Sequence, residues 1–213
     1  MHFPRTRVAL IAVSIGTGLL LGLAGPVAGK LDNTVCVTLS LVFSGGWQWA
    51  CYAFLVGYFR RSKIESALLS SLGLAIGVVA YYLFKDMYPA VPAGLESGAS
   101  GEGLSSRILV WGIAAFIFGA PVGLVGNLAR TPGIGGLFFR LLIPLTAYIE
   151  TSQRLHIEAD LQGAIVGITW TVIRVTACVV GVSLVGHTVW SWWRDRRNRP
   201  EDREGVGVPV NHP

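Results

Sequence analysis

Residues 34–59, TVCVTLSLVFSGGWQWACYAFLVGYF, run for 26 positions without one charged side chain. A helix needs about 20 mostly apolar residues to cross the hydrocarbon of a bilayer, so this stretch is long enough to span. Its middle decides the reading. Ser44-Gly45-Gly46 interrupts the apolar run, and glycine ranks below every residue but proline in helix propensity. The sequence therefore predicts a membrane helix broken at Gly45 or Gly46, with a second helical start at Trp47. Backbone N–H groups freed by such a break find no partner in lipid, so the break must be buried in protein or line a cavity.

Outward from this stretch the pattern repeats. Val8–Ala28, Ile64–Phe84, Ile108–Leu128, Leu137–Leu155 and Gly163–Trp190 are five further apolar runs. Charged residues make up 14% of the chain, against roughly 25% in soluble domains, and the mean hydropathy is +0.57. The fold expected is all-α: a polytopic bundle of six transmembrane helices over residues 1–193, followed by a disordered cytoplasmic tail over 194–213. Arg5 and Arg7 precede the first run as they would in a signal peptide. That run, however, exceeds the roughly 7–15 residues of a signal core and no A-x-A site follows, so it reads as a retained span.

Orientation follows from Lys and Arg in the connections, which favour the cytoplasmic side. With the N-terminus inside, Lys30, Lys85, Arg107 and Arg154 fall outside, Arg174 falls within the last span, and the other twelve of the 17 basic residues fall inside. Both termini are then cytoplasmic, and residues 86–106, rich in Pro, Gly, Ser and Glu, form an external loop. The net charge of +5 is thus a topology signal. The basic residues lie between apolar spans instead of on one solvated face, which excludes a nucleic-acid partner. The lipid bilayer is the expected environment, with Trp190, Trp192 and Trp193 beside Arg194 as an interfacial anchor. Cys36, Cys51 and Cys178 form no CxxC pair and read as inert thiols; no metal or cofactor is implied. Glycines four apart within spans, such as Gly18 and Gly22, Gly73 and Gly77, Gly119 and Gly123, and Gly163 and Gly167, predict helices packed at close range.

Ionisable groups inside a membrane are costly, and each marks a candidate site. Glu150 is the one carboxyl placed within a span and not at its end. Arg174 lies near the middle of the last span, and Asp86 closes the third. A carboxyl in an apolar pocket keeps a proton to donate near neutral pH, whereas a close guanidinium makes it half of a structural pair. Arg174 and Arg154 both lie within reach, so the two roles stand side by side. The expected topology gathers Trp47, Trp49, Tyr81, Tyr82, Trp111, Tyr148 and Trp170 in the same half of the bundle as Glu150 and the Gly45-Gly46 break. An acid among aromatic faces suits protonation of an alkene or epoxide, because π-faces stabilise a carbocation without trapping it. No Asp-Asp-x-x-Asp or Asp-x-Asp-Asp run is present to ionise a diphosphate through metal.

Phe43-Ser44-Gly45-Gly46-Trp47, Ala80-Tyr81-Tyr82, Trp111 followed by Gly119-Ala120-Pro121-Val122-Gly123-Leu124-Val125-Gly126-Asn127, and Glu150 one turn before Arg154 resemble a family of small bacterial six-span membrane proteins. One branch of it resembles the membrane-bound terpene cyclases of drimentine-type biosynthesis. Over residues 8–190 the resemblance implies metal-independent, proton-initiated cyclisation of the farnesyl chain on a prenylated indole, a tryptophan-containing cyclodipeptide. Fungal meroterpenoid cyclases are similar in size and chemistry and rely on two intramembrane acids; the candidates here are Glu150 for one and, for the second, Asp86 ahead of Glu65 and Glu158. Trp47, Trp49, Tyr81, Tyr82, Trp111, Tyr148, Trp170 and Arg174 would hold the hydrophobic prenylated substrate. Two other functions fit the same features: a small proton-coupled transporter using Glu150 and Arg174, and a non-catalytic membrane subunit.

Overall fold

The computed structural model describes residues 3–31, 33–88, 103–162 and 164–197. Most of the expected external loop and the whole tail beyond Arg197 lie outside the described residues, as does Gly163. Among the described residues there are seven helices: α1 (Phe3–Ala28), α2 (Thr34–Ser44), α3 (Gly46–Tyr58), α4 (Lys63–Met87), α5 (Leu104–Leu128), α6 (Ile134–Gln162) and α7 (Ala164–Arg197). No strand occurs among the described residues. The chain is an all-α polytopic bundle of the multi-pass membrane class. Five helices are long and apolar enough to cross a bilayer, and α2 with α3 passes the same test as a pair bent by 65°. The bend falls at Gly45, whose backbone is extended at φ −77° and ψ 157°. The predicted break is present.

Contact register shows that the bent pair crosses the whole bundle and does not turn back as a re-entrant loop. Gly18 of α1 meets Gly73 of α4, and Gly22 meets Gly77. Residue numbers rise together, so α1 and α4 run parallel, and the chain must have returned to its starting side between them. Trp49, Tyr52, Ala53 and Gly57 of α3 face Gly77, Gly73, Ser70 and Ser66 in descending order, which makes α3 antiparallel to α4. Direction alternates through α5, α6 and α7, so Phe3 and Arg197 emerge at one end of the bundle. Glu150 and the Gly45 break lie towards the opposite end.

Local sequence accounts for the helix ends. The Asn33 side chain accepts from Val35 N at 3.0 Å to start α2, and Ser62 does the same for Glu65 N at 3.4 Å in α4, the usual use of short polar side chains at N-caps. Gly133, at φ 75°, makes the left-handed turn between α5 and α6. The last helix continues past the expected boundary at residue 193, through Arg197. Its final turns are tied by Arg196 over the Trp192 ring at 3.8 Å and Arg197 over Trp193 at 3.4 Å, each a cation–π pair at helical i,i+4 spacing.

Packing divides the bundle in two. In α1, α3, α4 and α5 the helices touch backbone to backbone. A Cβ at Gly22 would strike the Gly77 carbonyl, and one at Gly57 would strike that of Gly123. Buried hydroxyls complete these contacts: Ser70 Oγ donates to Ala53 O at 2.8 Å and Tyr52 OH to Ser14 O at 2.6 Å. Helices α6 and α7 pack on each other as a hairpin and meet the rest over a much smaller surface. Large apolar side chains such as Leu20, Ile117 and Val182 are exposed on the outside of the bundle. In water such a surface would drive association, whereas in a bilayer it is the solvated face.

Candidate functional site

At the end of the bundle that carries the break, α3, α4 and α5 diverge around a cavity of about 470 Å³, within the range of small-molecule sites. Its walls are Trp49 and Ala50 of α3, Leu74, Val78, Tyr81 and Tyr82 of α4, and Trp111, Ala114, Ala115, Phe118 and Val122 of α5. Ser44, Gly45 and Gly46 close one side. The room comes from alanines at the positions where two helices face each other. Tyr81 and Tyr82 stand edge to face, with ring centroids 5.2 Å apart and planes at 84°. The lining is mostly apolar, its polar groups coming from the broken segment, the tyrosines and the tryptophans.

Behind the two glycines sits Glu150. Its Oε1 accepts from Gly46 N at 2.8 Å and its Oε2 from Trp47 N at 2.7 Å. The carboxylate thereby caps the first turn of α3, where free N–H groups and the positive end of the helix dipole favour a negative charge. Arg154, one turn along α6, donates from Nε to Glu150 Oε1 at 3.1 Å. The Arg154 guanidinium in turn lies 5.0 Å from the ring centroid of Trp170, which is wholly buried. Oε1 thus receives two donors and Oε2 one, leaving one lone pair on Oε2. A Cβ at Gly45 would come within 2.8 Å of Gln48 Oε1 and 3.1 Å of Glu150 Oε1, and one at Gly46 within 3.3 Å of Glu150 Oε2, so a side chain at either position crowds the clasp.

The predicted site residues separate into groups. Trp49, Tyr81, Tyr82 and Trp111 share the cavity. Trp47 and Trp170 belong to the clasp, Trp47 through its backbone N–H and Trp170 through Arg154. Tyr148, expected beside the carboxyl, is 43% exposed and lines a separate apolar groove between α6 and α7. Two residues before Glu150 on a helix, it points to the opposite face. Arg174 is half-buried in α7 and forms no ion pair among the described residues, so the partner of Glu150 is Arg154 and not Arg174. Asp86 is exposed in the last turn of α4, one turn beyond Tyr82. Glu65 is exposed in the first turn of α4, at the other end of the bundle. The Glu158 side chain lies outside the described residues.

Three features had not been read from the sequence. Phe118 and Val122 continue the Trp111 stripe at spacings of 7 and 11 residues on α5, a periodicity that was available. The Gln48 amide and the Trp47 indole nitrogen are buried beside the clasp without hydrogen-bond partners among the described residues, and nothing in their spacing announces it. Arg60, in the turn after α3, is 8% exposed and donates to Leu10 O and Ser14 Oγ of α1. Its own carbonyl receives Asn127 Nδ2 at 2.6 Å and Arg130 Nη1 at 2.9 Å. This tie draws the ends of α1, α3 and α5 together on the side of the bundle away from the cavity.

No protein-family model, curated protein or solved structure matches this chain.

Proposed function

We propose that the protein is an intramembrane enzyme that binds a prenyl chain in the aromatic cavity and cyclises it by proton transfer. The observation that carries this reading is the juxtaposition of an apolar, π-lined cavity with a broken helix backed by a carboxyl group. Aromatic faces solvate a developing carbocation, and a bundle that excludes water protects it from premature capture. In the proposed reaction an acid adds one proton to the terminal alkene of the chain, and each ring closure converts one C=C π bond into a C–C σ bond. Loss of a proton from the last cation returns the balance, so product and substrate are isomers. Glu150, behind the Gly45 and Gly46 side of the cavity, is the proposed donor; Arg154 and the two N–H groups favour its carboxylate form, so the proton it delivers must be taken up on Oε2 against those contacts. The charge bias of the connections supports an external position for this end of the bundle and cytoplasmic termini.

A second reading has its own observation. The contact with Arg154 and the two backbone N–H groups hold Glu150 as a clasp between α6 and α3, which is what a non-catalytic membrane subunit would need. The two are separated by incubating membranes containing the protein with farnesyl carriers, beginning with the farnesylated indole cyclodipeptide that the sequence resemblance implies. An isomeric product of unchanged mass supports the enzyme. Recovery of every carrier unchanged leaves the clasp as the sole role of Glu150.

A further inference from the structure

Three side chains of the cavity wall each have a charged neighbour one helical turn further out. Lys85 follows Tyr81 by four residues and Asp86 follows Tyr82 by four on α4, while Arg107 precedes Trp111 by four on α5. Residues four apart lie on the same helix face, so these charges stand over the walls of the cavity. Lys85 Nζ lies 5.4 Å from the centroid of the Tyr81 ring, and Arg107 stands on α5, which packs along α4. Neither cation forms an ion pair among the described residues; the single pair there is Glu150 with Arg154. Among the described residues the mouth therefore holds two cations against one carboxylate. Arg107 also stands in the first turn of α5, which has no acidic residue and no side-chain cap. A cation is disfavoured at that position by the helix dipole unless an anion shares the site.

We propose that the ligand of this cavity is an isoprenoid bearing a phosphate or diphosphate head, with its chain among Tyr81, Tyr82 and Trp111 and its head between Lys85 and Arg107. The inference rests on the reading of the cavity as a prenyl site and is independent of the role of Glu150. A guanidinium matches phosphate oxygens in bidentate fashion and an ammonium adds a point charge, whereas a neutral head leaves both cations unmatched. Asp86 beside them repels an anionic head, so a phosphate is held only if it engages the cations.

The test uses the full chain in phosphatidylcholine nanodiscs, with radiolabelled farnesyl monophosphate and farnesol as probes in equilibrium binding. The expected result is a preference for farnesyl monophosphate of about tenfold or more, the scale of one good charge-assisted hydrogen bond, weakening as salt is raised. Substituting Lys85→Gln and Arg107→Gln together should bring the two affinities level while farnesol binding is retained, which also reports that the variant is folded. Equal affinities in the natural sequence overturn the proposal, as does a preference that survives the double substitution. Displacement of the probe by inorganic phosphate, or by phosphatidylglycerol added to the discs, would assign the cations to a free anion or a lipid headgroup and likewise overturn it. If neither farnesyl compound binds, the prenyl cavity itself is wrong.

Discussion

The four helices α1, α3, α4 and α5 and the hairpin of α6 and α7 are built on opposite principles. In the first group, glycines let backbones touch, and buried serines and Tyr52 bond across the interfaces. Between the groups the surface is small, and what joins them is polar and specific: Glu150 to Gly46 N and Trp47 N, and Arg140 Nε to Ala129 O at 2.8 Å. The tight region shapes a cavity. The loose junction brings to its edge the carboxylate that the hairpin carries. Stability rests chiefly on the tight region, whereas Glu150 serves both the junction and the proposed chemistry, so substitutions in the two regions should differ in what they cost.

The largest effect is expected in the tight region. Gly57→Leu must push α3 off the Gly123 carbonyl, and overpacking of this kind costs about 1–3 kcal/mol or more. Here the obstacle is backbone, so folded protein should be lost on size-exclusion chromatography in detergent. Gly112→Leu on α5, with nothing within 4 Å of its Cβ position, should elute as the natural chain does. Equal behaviour of the two would break the distinction between the regions.

At the junction the expected effect is smaller. Glu150→Ala leaves two backbone donors and Arg154 without their acceptor, at roughly 1–3 kcal/mol for each donor that stays buried. The apparent melting temperature in detergent should fall while the protein remains folded. Glu150→Gln keeps one acceptor oxygen but turns an NH₂ group towards a donor, so it should melt between the two. A melting temperature for Glu150→Ala equal to that of the natural chain would show that the hairpin is held by something other than the clasp.

On the cavity wall, stability and binding should part. Trp111 is 56% exposed, so Trp111→Ala should leave melting nearly unchanged while weakening farnesol binding by on the order of tenfold, from lost apolar burial. The smallest effect belongs to the outer groove. Cys178→Ala, on the exposed face of α7, should shift stability by no more than about 0.5 kcal/mol and leave binding alone.

Much of this architecture was legible because lipid constrains sequence so strongly. The runs around Val8–Ala28 and Ile108–Leu128 admit little but membrane helices, and two glycines at 45 and 46 can hardly pass through one. The helix partners were less legible. Gly73 and Gly77 announce a close contact but not that Gly18 and Gly22 fill it. Among the site residues, the four aromatics of the cavity follow from topology and depth alone. Tyr148 and Arg174 were placed by depth without regard to angle around the helix, and a span that is apolar on every side gives no cue to which face is inward. The same reason hides the clasp: Arg154 at i,i+4 was a visible partner for Glu150, but its bonds to Gly46 N and Trp47 N join residues more than a hundred positions apart.

The central claim is that a prenyl chain in the cavity is cyclised by a proton delivered from the protein. Purified protein in nanodiscs, incubated in D₂O with a panel of farnesyl carriers of neutral and phosphorylated head groups, tests it most directly through the mass and NMR spectrum of the recovered material. The account predicts a cyclic product that has gained one deuteron at the former terminal alkene and lost one proton at termination, with Glu150→Gln, folded and binding farnesol, forming it at least about 10²-fold more slowly. Recovery of every carrier uncyclised and without deuterium, from protein shown to bind the chain, would contradict it.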